Sequence, residues 1–329
     1  MKVTRRKFVK LAGMAGLVGL AGGLIGCGTN SASIKSVAEA DKLPPAEKAT
    51  VYFSKTIDAE HLIALYDKIN SEITGKVGIK LHTGEPHGPN ILPRDMVKAF
   101  QAHIPNSAIV ETNTLYGGAR STTERHRRTL KTNGWTFCPV DILDEDGDVT
   151  FPVRHGFHLS EVAVGSHLTN YDSLIVLTHF KGHSMGGFGG SLKNIAIGCA
   201  SGKVGKRQIH REDWVTGNEL MERMADAGKA ICEHFGRKIV YINVLQRLSV
   251  DCDCMGMGAA APEMPDLGIL ASTDILAVDQ ASVDMIYNFP DDSKNYLITR
   301  IESRGGRRQL TAMAEHQMGT KNYELVKID

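Results

Sequence analysis

The chain has no surplus of charge, no apolar run long enough to span a bilayer, no internal repeat and no even set of cysteines. Lys and Arg total 38 against 37 Asp and Glu, a formal net charge of +1. Neither nucleic acid nor an acidic membrane surface is therefore an expected partner. The basic cluster 124–128 lies in a helix-like stretch and reads as a solvated face. The apolar stretch 11–26 has sixteen residues, six of them glycine, whereas a membrane span needs about 20 mostly apolar ones. Beyond Cys27 the cysteines are Cys138, Cys199, Cys232, Cys252 and Cys254, an odd number. Cys252 and Cys254 look too tight a pair for easy disulfide geometry, so a disulfide scaffold is not expected.

The N-terminus supplies an address. Thr4-Arg5-Arg6-Lys7-Phe8 followed by a short apolar stretch is a twin-arginine export pattern, and such a segment stands outside the fold. Leu24-Ile25-Gly26-Cys27 at the end of that stretch is a lipobox-like sequence with Cys27 as the lipidated residue. The other reading is cleavage at Ala38-Glu39-Ala40 and a soluble periplasmic product. The expectation is a signal over 1–27, a Ser-, Ala- and Lys-rich tether over 28–48 that includes Pro44-Pro45, and a folded domain over 49–329. That places the protein outside the cytoplasm, lipid-anchored to the membrane.

Within 49–329, short apolar runs alternate with helix-like stretches. Candidate strands cover 49–53, 76–81, 108–111, 173–177, 238–245 and 267–270, with an edge strand at 323–328. Candidate helices cover 61–73, 94–103, the stretch up to 132, 219–235, 276–287 and 309–317. This pattern predicts an α/β fold, a mostly parallel sheet with flanking helices. Three short strand-like runs between 137 and 164 predict a β-rich insertion near 137–170.

Chemistry concentrates where these strands end. The apolar run Leu174-Ile175-Val176-Leu177 leads into Thr178–Ser201, with His179, Lys181, His183, Lys193 and Cys199 among glycines 182, 186, 187, 189 and 190. Loops at the carboxyl ends of parallel strands are where ligands bind in open α/β sheets. Glycine amides at Gly186, Gly187, Gly189 and Gly190, with Lys181 or Lys193, predict a cradle for an anion. His82, Glu85 and His87 follow the 76–81 strand, Asn113 and Tyr116 follow 108–111, and Asp251-Cys252-Asp253-Cys254 follows 238–245. His82, Glu85, His183 and Lys193 are candidate acid–base groups. His179, His183, Cys199, Cys252 and Cys254 are candidate metal ligands, since imidazole and thiolate suit a transition metal. The spacing of His179 and His183 is helical, but Gly182 argues against a helix there, so a loop must bring them together. Cys138 and Cys232 read as small buried hydrophobes.

Several of these segments carry a resemblance. HFKGH, GFGGSLKN and GCAS, with Gly78-Ile79-Lys80-Leu81-His82, Glu111-Thr112-Asn113-Thr114-Leu115-Tyr116, Asp251–Cys254 and 265–280, resemble the DUF362 family over most of 50–329. Members of that family carry the label of iron–sulfur centre proteins without a proven reaction. Many have a ferredoxin-like insertion of repeated C-x-x-C groups after GCAS; here 202–213 runs on without one, which argues against a [4Fe–4S] centre. GGFGGSLKNIAIG also resembles the glycine-rich lysine segment of the nickel-pincer lactate racemase family. That likeness implies Lys193 as the holder of an organic cofactor, with His179 or His183 in proton transfer.

The expectation is an exported protein that binds a metal or organic cofactor, a redox or isomerising enzyme acting on a small molecule. The alternative is a non-catalytic metal-binding or carrier lipoprotein. Substrate, metal identity and oligomeric state are left open by the residues.

Overall fold

A computed structural model describes residues 48–329. The export signal, Cys27 and the tether lie outside the described residues. Chain order runs β1 (Ala49–Ser54), α1 (Ala59–Tyr66), β2 (Val77–Lys80), α2 (Arg94–His103), β3 (Ser107–Glu111), α3 (Thr123–Thr132) and β4 (Val140–Ile142). There follow β5 (Asp148–Pro152), β6 (Glu161–Gly165), β7 (Ser173–His179), β8 (Lys181–His183), β9 (Gly187–Gly189), α4 (Ser191–Cys199), α5 (Gly205–His210) and α6 (Asn218–Phe235). The chain closes with β10 (Ile239–Leu245), β11 (Gly268–Ser272), α7 (Ile275–Tyr287), α8 (Asn295–Ser303), α9 (Arg308–Glu315) and β12 (Tyr323–Lys327). Among the described residues no helix is long and apolar enough to cross a membrane.

Eight strands form one sheet in the order β12-β1-β11-β10-β7-β2-β3-β4. Only β11 runs against its neighbours, pairing antiparallel with β1 and β10. The predicted mostly parallel α/β sheet is what forms. Its central strands are buried along their whole length and mainly apolar, as burial on both faces requires. Alternation sends Leu174 and Val176 to one core, with α4, α6 and α7, and Ile175 and Leu177 to the other, with α1 and α2.

Two expectations shift. Of the three runs assigned to the insertion, the first supplies β4, the outer strand of the main sheet, parallel to β3. Only β5 and β6 form a separate hairpin. The helix expected over 61–73 stops at Tyr66, where the amides of Lys68 and Ile69 turn back to the carbonyls of Leu65 and Tyr66 and bury Ile69.

The glycine-rich segment is not an open loop. Lys181–His183 and Gly187–Gly189 pair as a small hairpin, and α4 begins directly after it at Ser191. A neighbouring element caps this helix. The Asp279 carboxylate on α7 accepts from Ser191 N at 2.7 Å and Leu192 N at 3.0 Å, and Asn243 Nδ2 donates to it at 2.8 Å. Only glycine fits at 190, because a Cβ there would lie 2.5 Å from that carboxylate. Burial raises the Asp279 pKa to about 6, against the pull of these donors.

Asp279→Ala strands the first amides of a buried helix and the Asn243 amide. Loss of such a cap and of buried partners predicts a destabilisation of about 3 kcal/mol in urea unfolding, with Asp279→Asn closer to wild type.

Candidate functional site

The strands β2, β3, β7 and β10 run in one direction, so the segments after them emerge at one sheet edge. They enclose a cavity of about 350 Å³, the size of a small-ligand pocket. His82, His183, Gly186, Lys193 and Cys254 line it, and a small adjoining cleft is lined by His179, Lys181, Gly189, Gly190 and Cys252, with His82 and Lys193 common to both. Segments more than a hundred residues apart in sequence thus meet.

The cavity is cationic. Lys80, Arg120, Lys193 and Lys206 line it against the single carboxylate of Glu111. Glu111 accepts from Thr83 N at 2.6 Å and lies 3.8 Å from Lys80 Nζ and 3.6 Å from Arg120 Nη1. Burial opposes its ionisation, but the charges of Lys80 and Arg120 outweigh that and hold the carboxyl well below its usual range. Lys80 itself reaches the cavity only because residue 198 on α4 is glycine: a Cβ there would lie 2.1 Å from Lys80 Cε.

The other lysines lack a carboxylate partner. Lys206 Nζ donates to Thr112 Oγ1, Ala200 O and Asn113 O. Burial lowers its pKa to about 8 despite Asp144 and Glu111. Lys193 makes no hydrogen bond or ion pair among the described residues. Burial, then the charges of Lys181, Lys80, Arg120 and Lys206, lowers its pKa to about 7.

Two histidines present donors. His82 Nδ1 accepts from Gly84 N at 2.9 Å, and His183 Nδ1 accepts from Gly186 N at 2.8 Å. Burial holds both well below their usual pKa, reinforced by Arg120 at His82 and by Lys193 at His183. Each ring is therefore neutral with its proton on Nε2.

The remaining predicted residues fall elsewhere, for identifiable reasons. Glu85 does not line the cavity; it accepts from Tyr116 Oη and Arg120 Nε, both at 2.9 Å, and so positions two residues that do. His179 has both ring nitrogens engaged, Nδ1 by Asp253 Oδ2 at 2.9 Å and Nε2 by the Gln246 carbonyl at 2.6 Å. Neither nitrogen is free to reach a metal. Lys181 Nζ lies 2.9 Å from the same Asp253 oxygen, so it pins the 246–254 segment instead of cradling an anion. Cys199 is fully buried in the core, its thiol pushed up to about 12 by burial. Of the glycine cradle, the Gly186 amide is spent internally on His183, and Gly186 O and Phe188 O accept from Gln309.

Cys252 and Cys254, expected to be too tight a pair for easy disulfide geometry, are bonded all the same. They form a disulfide, with a Cα–Cα distance of 5.3 Å that disulfides commonly span. A ring nitrogen of His183 and both sulfurs lie within 4.8 Å of one another. This His/Cys cluster does not fit a metal ion in the form seen here. Metal-bound histidine donates its second ring nitrogen to an acceptor, whereas His183 Nδ1 accepts from backbone, and the two sulfurs are bonded to each other.

Several contributors escape a reading of the sequence. Lys80 stands inside an apolar strand and Glu111 at the end of another; a charge in such a run is the one signal that marks them. Arg120, Lys206 and His210 carry no such signal, and Asp253 is marked only as a member of the Asp251–Cys254 run. His126 sits in the charged run 124–128, yet it is fully buried with neither ring nitrogen bonded, and burial lowers its pKa to about 3.

A parallel-sheet α/β domain with a cationic small-molecule cavity at its carboxyl edge is the class these features define. The family model of DUF362, a domain of unknown function, matches residues 77–284; the chain belongs to this family. No curated protein matches the chain. Among solved structures the chain is similar to the lactate racemase apoprotein from Thermoanaerobacterium thermosaccharolyticum, at 11% identity and a TM-score of 0.41, over 72% of this chain and 57% of that one. It is also similar to a protein from Thermotoga maritima, at 12% identity and a TM-score of 0.42, over 71% of this chain and 60% of that one. The chain thus spans about three fifths of the length of either structure. These likenesses add nothing to the chemistry argued from the residues.

Lys193 binds its proton more weakly folded than unfolded, so stability rises with pH across the window from about 7 to 10.5. Lys193→Met should therefore raise the melting temperature at about pH 6, and the gain should shrink as pH climbs through that window. A constant difference at all pH values would contradict the lowered pKa.

Proposed function

We propose that this protein is an exported, lipid-anchored enzyme of the redox or isomerising kind that binds a small anionic molecule in the cationic cavity. One observation carries the reading: Lys193, uncompensated and with a pKa lowered to about 7, faces a cavity whose other charges are also mainly positive. A carboxylate or phosphate ligand would supply the missing negative charge. His82 and His183 would meet its oxygens with neutral Nε2–H donors. Lys193 would take up or release a proton near neutral pH, the range in which an acid–base group works best.

An organic cofactor also suits this donor set, with Lys193 as the residue to hold it, as the resemblance of its segment implies. Such a cofactor would supply electron-accepting capacity that side chains lack. His82 and His183 beside Lys193 offer acid–base groups that a carrier does not need, and that favours the enzyme.

Titration with phosphate or malonate, followed by thermal shift, is the direct test. Both anions should raise the melting temperature of wild type, more at about pH 6 than at about pH 8, because the Lys193 ammonium is lost through about 7. Lys193→Met should remove most of the response. Equal shifts in wild type and variant would defeat the reading.

Export rests on the N-terminal motif. Replacing both Arg5 and Arg6 by lysine should leave precursor in the cytoplasm, and mass spectrometry of the membrane fraction should find a lipid on Cys27. Unimpaired export of the double variant would remove the twin-arginine route, and an unmodified Cys27 the anchor.

A further inference from the structure

The 246–254 segment is held more firmly than a ligand-free surface loop requires. Asp253 is 2% exposed and binds both His179 and Lys181. Its carbonyl accepts from Glu85 N at 3.1 Å. These contacts alone fix the segment to the ends of β2 and β7. The Cys252–Cys254 bridge adds little further restraint, because a bond across one intervening residue closes the smallest of loops and removes little chain entropy. A staple is not its purpose.

Its two sulfurs are not equivalent. Cys254 lines the larger cavity beside Met255, which is 49% exposed. Cys252 is 3% exposed and faces the small cleft, together with Lys181 and Lys193. The His183 ring is within 4.8 Å of both. One sulfur is thus open to a molecule in the cavity, and the other shares its cleft with the unpaired Lys193 amine, Lys181 there being paired to Asp253. That arrangement suits attack on the first and departure of the second as a thiolate.

We propose that Cys252–Cys254 is a thiol–disulfide exchange centre that oxidises a small anionic thiol bound in the cavity. The substrate class rests on the cationic reading of the cavity given above. A substrate thiolate attacks Cys254 Sγ; a mixed disulfide forms, the Cys252–Cys254 bond breaks, and Cys252 leaves as a thiolate opposite Lys193. A second substrate thiolate, or the second thiol of a dithiol, attacks the substrate sulfur of that mixed disulfide and releases Cys254 as a thiolate. Two thiols become one disulfide, the protein pair gains two electrons, and the protons given up by the substrate end on the two cysteines. Exchange with an oxidising disulfide restores the starting state.

The test uses the full chain and two disulfide probes: dianionic 5,5′-dithiobis(2-nitrobenzoate) and uncharged 4,4′-dithiodipyridine. Cys252→Ser leaves the cavity sulfur and Cys254→Ser the buried one, and the double variant reports the background from the other cysteines. Cys252→Ser should react with the anionic probe at least about tenfold faster than Cys254→Ser, since a buried thiol is shielded. Reaction of both single variants at the background rate would overturn the exchange centre. Equal rates for the anionic and uncharged probes on Cys252→Ser, above background, would overturn the cationic-cavity reading and leave the centre standing. Wild type covers variants that fail to fold. Incubation of native oxidised protein with reduced glutathione, then alkylation and mass spectrometry, should label both Cys252 and Cys254. An intact bridge under those conditions marks a structural disulfide and overturns the proposal.

Discussion

Glu111 is the constraint on which the site depends. It is the one carboxylate lining a cavity with four cationic side chains, and it sits where β3 ends, beside the end of β2. Its oxygens take the Thr83 amide and hydroxyl and face Lys80 and Arg120. Cations crowded into a buried space repel one another and lose hydration, so without a central anion they would not share it. With Glu111 among them and Glu85 paired to Arg120, four cations face two anions and an excess of positive charge is left. Burial and that excess together lower the Lys193 pKa.

The chain separates holding from reacting. Asp279, Asp253 and Glu85 are carboxylates turned away from chemistry: one caps α4, one ties down the cysteine segment, and one orients Tyr116 and Arg120. The glycines of 182–190 likewise serve close packing, and the amides of Gly182 and Gly186 find partners inside the protein. Free toward the cavity are the Lys193 amine, the Nε2–H groups of His82 and His183, the His210 ring and the Cys254 sulfur, among others. A free amine, neutral donors and a disulfide together suit an anion that exchanges protons or electrons.

A reading of the sequence reaches the fold because the fold follows from local periodicity. The apolar runs at 76–81, 173–177 and 238–245 are buried central strands, and their helices fall near the expected bounds. It reaches the edge of the sheet where chemistry gathers, since segments after parallel strands must emerge together. It does not reach roles within that edge. His179 and His183 look alike in sequence, yet one ring is locked between a carboxylate and a carbonyl and the other adjoins the sulfurs. Cys199 and Cys254 are equally plausible thiolates on paper, but the helix turns the first into the core.

By itself the sequence determined the α/β alternation, the position of the strand ends and the motif expected to direct export, because each depends on residues close together along the chain. Only the tertiary structure decided that Lys80, Arg120, Lys193 and Lys206 surround Glu111, that both site histidines carry their protons on Nε2, and that Cys252 and Cys254 are bonded. Those outcomes depend on strand order and on which neighbour supplies each hydrogen bond. Contacts between residues a hundred positions apart set both, and no local pattern records them.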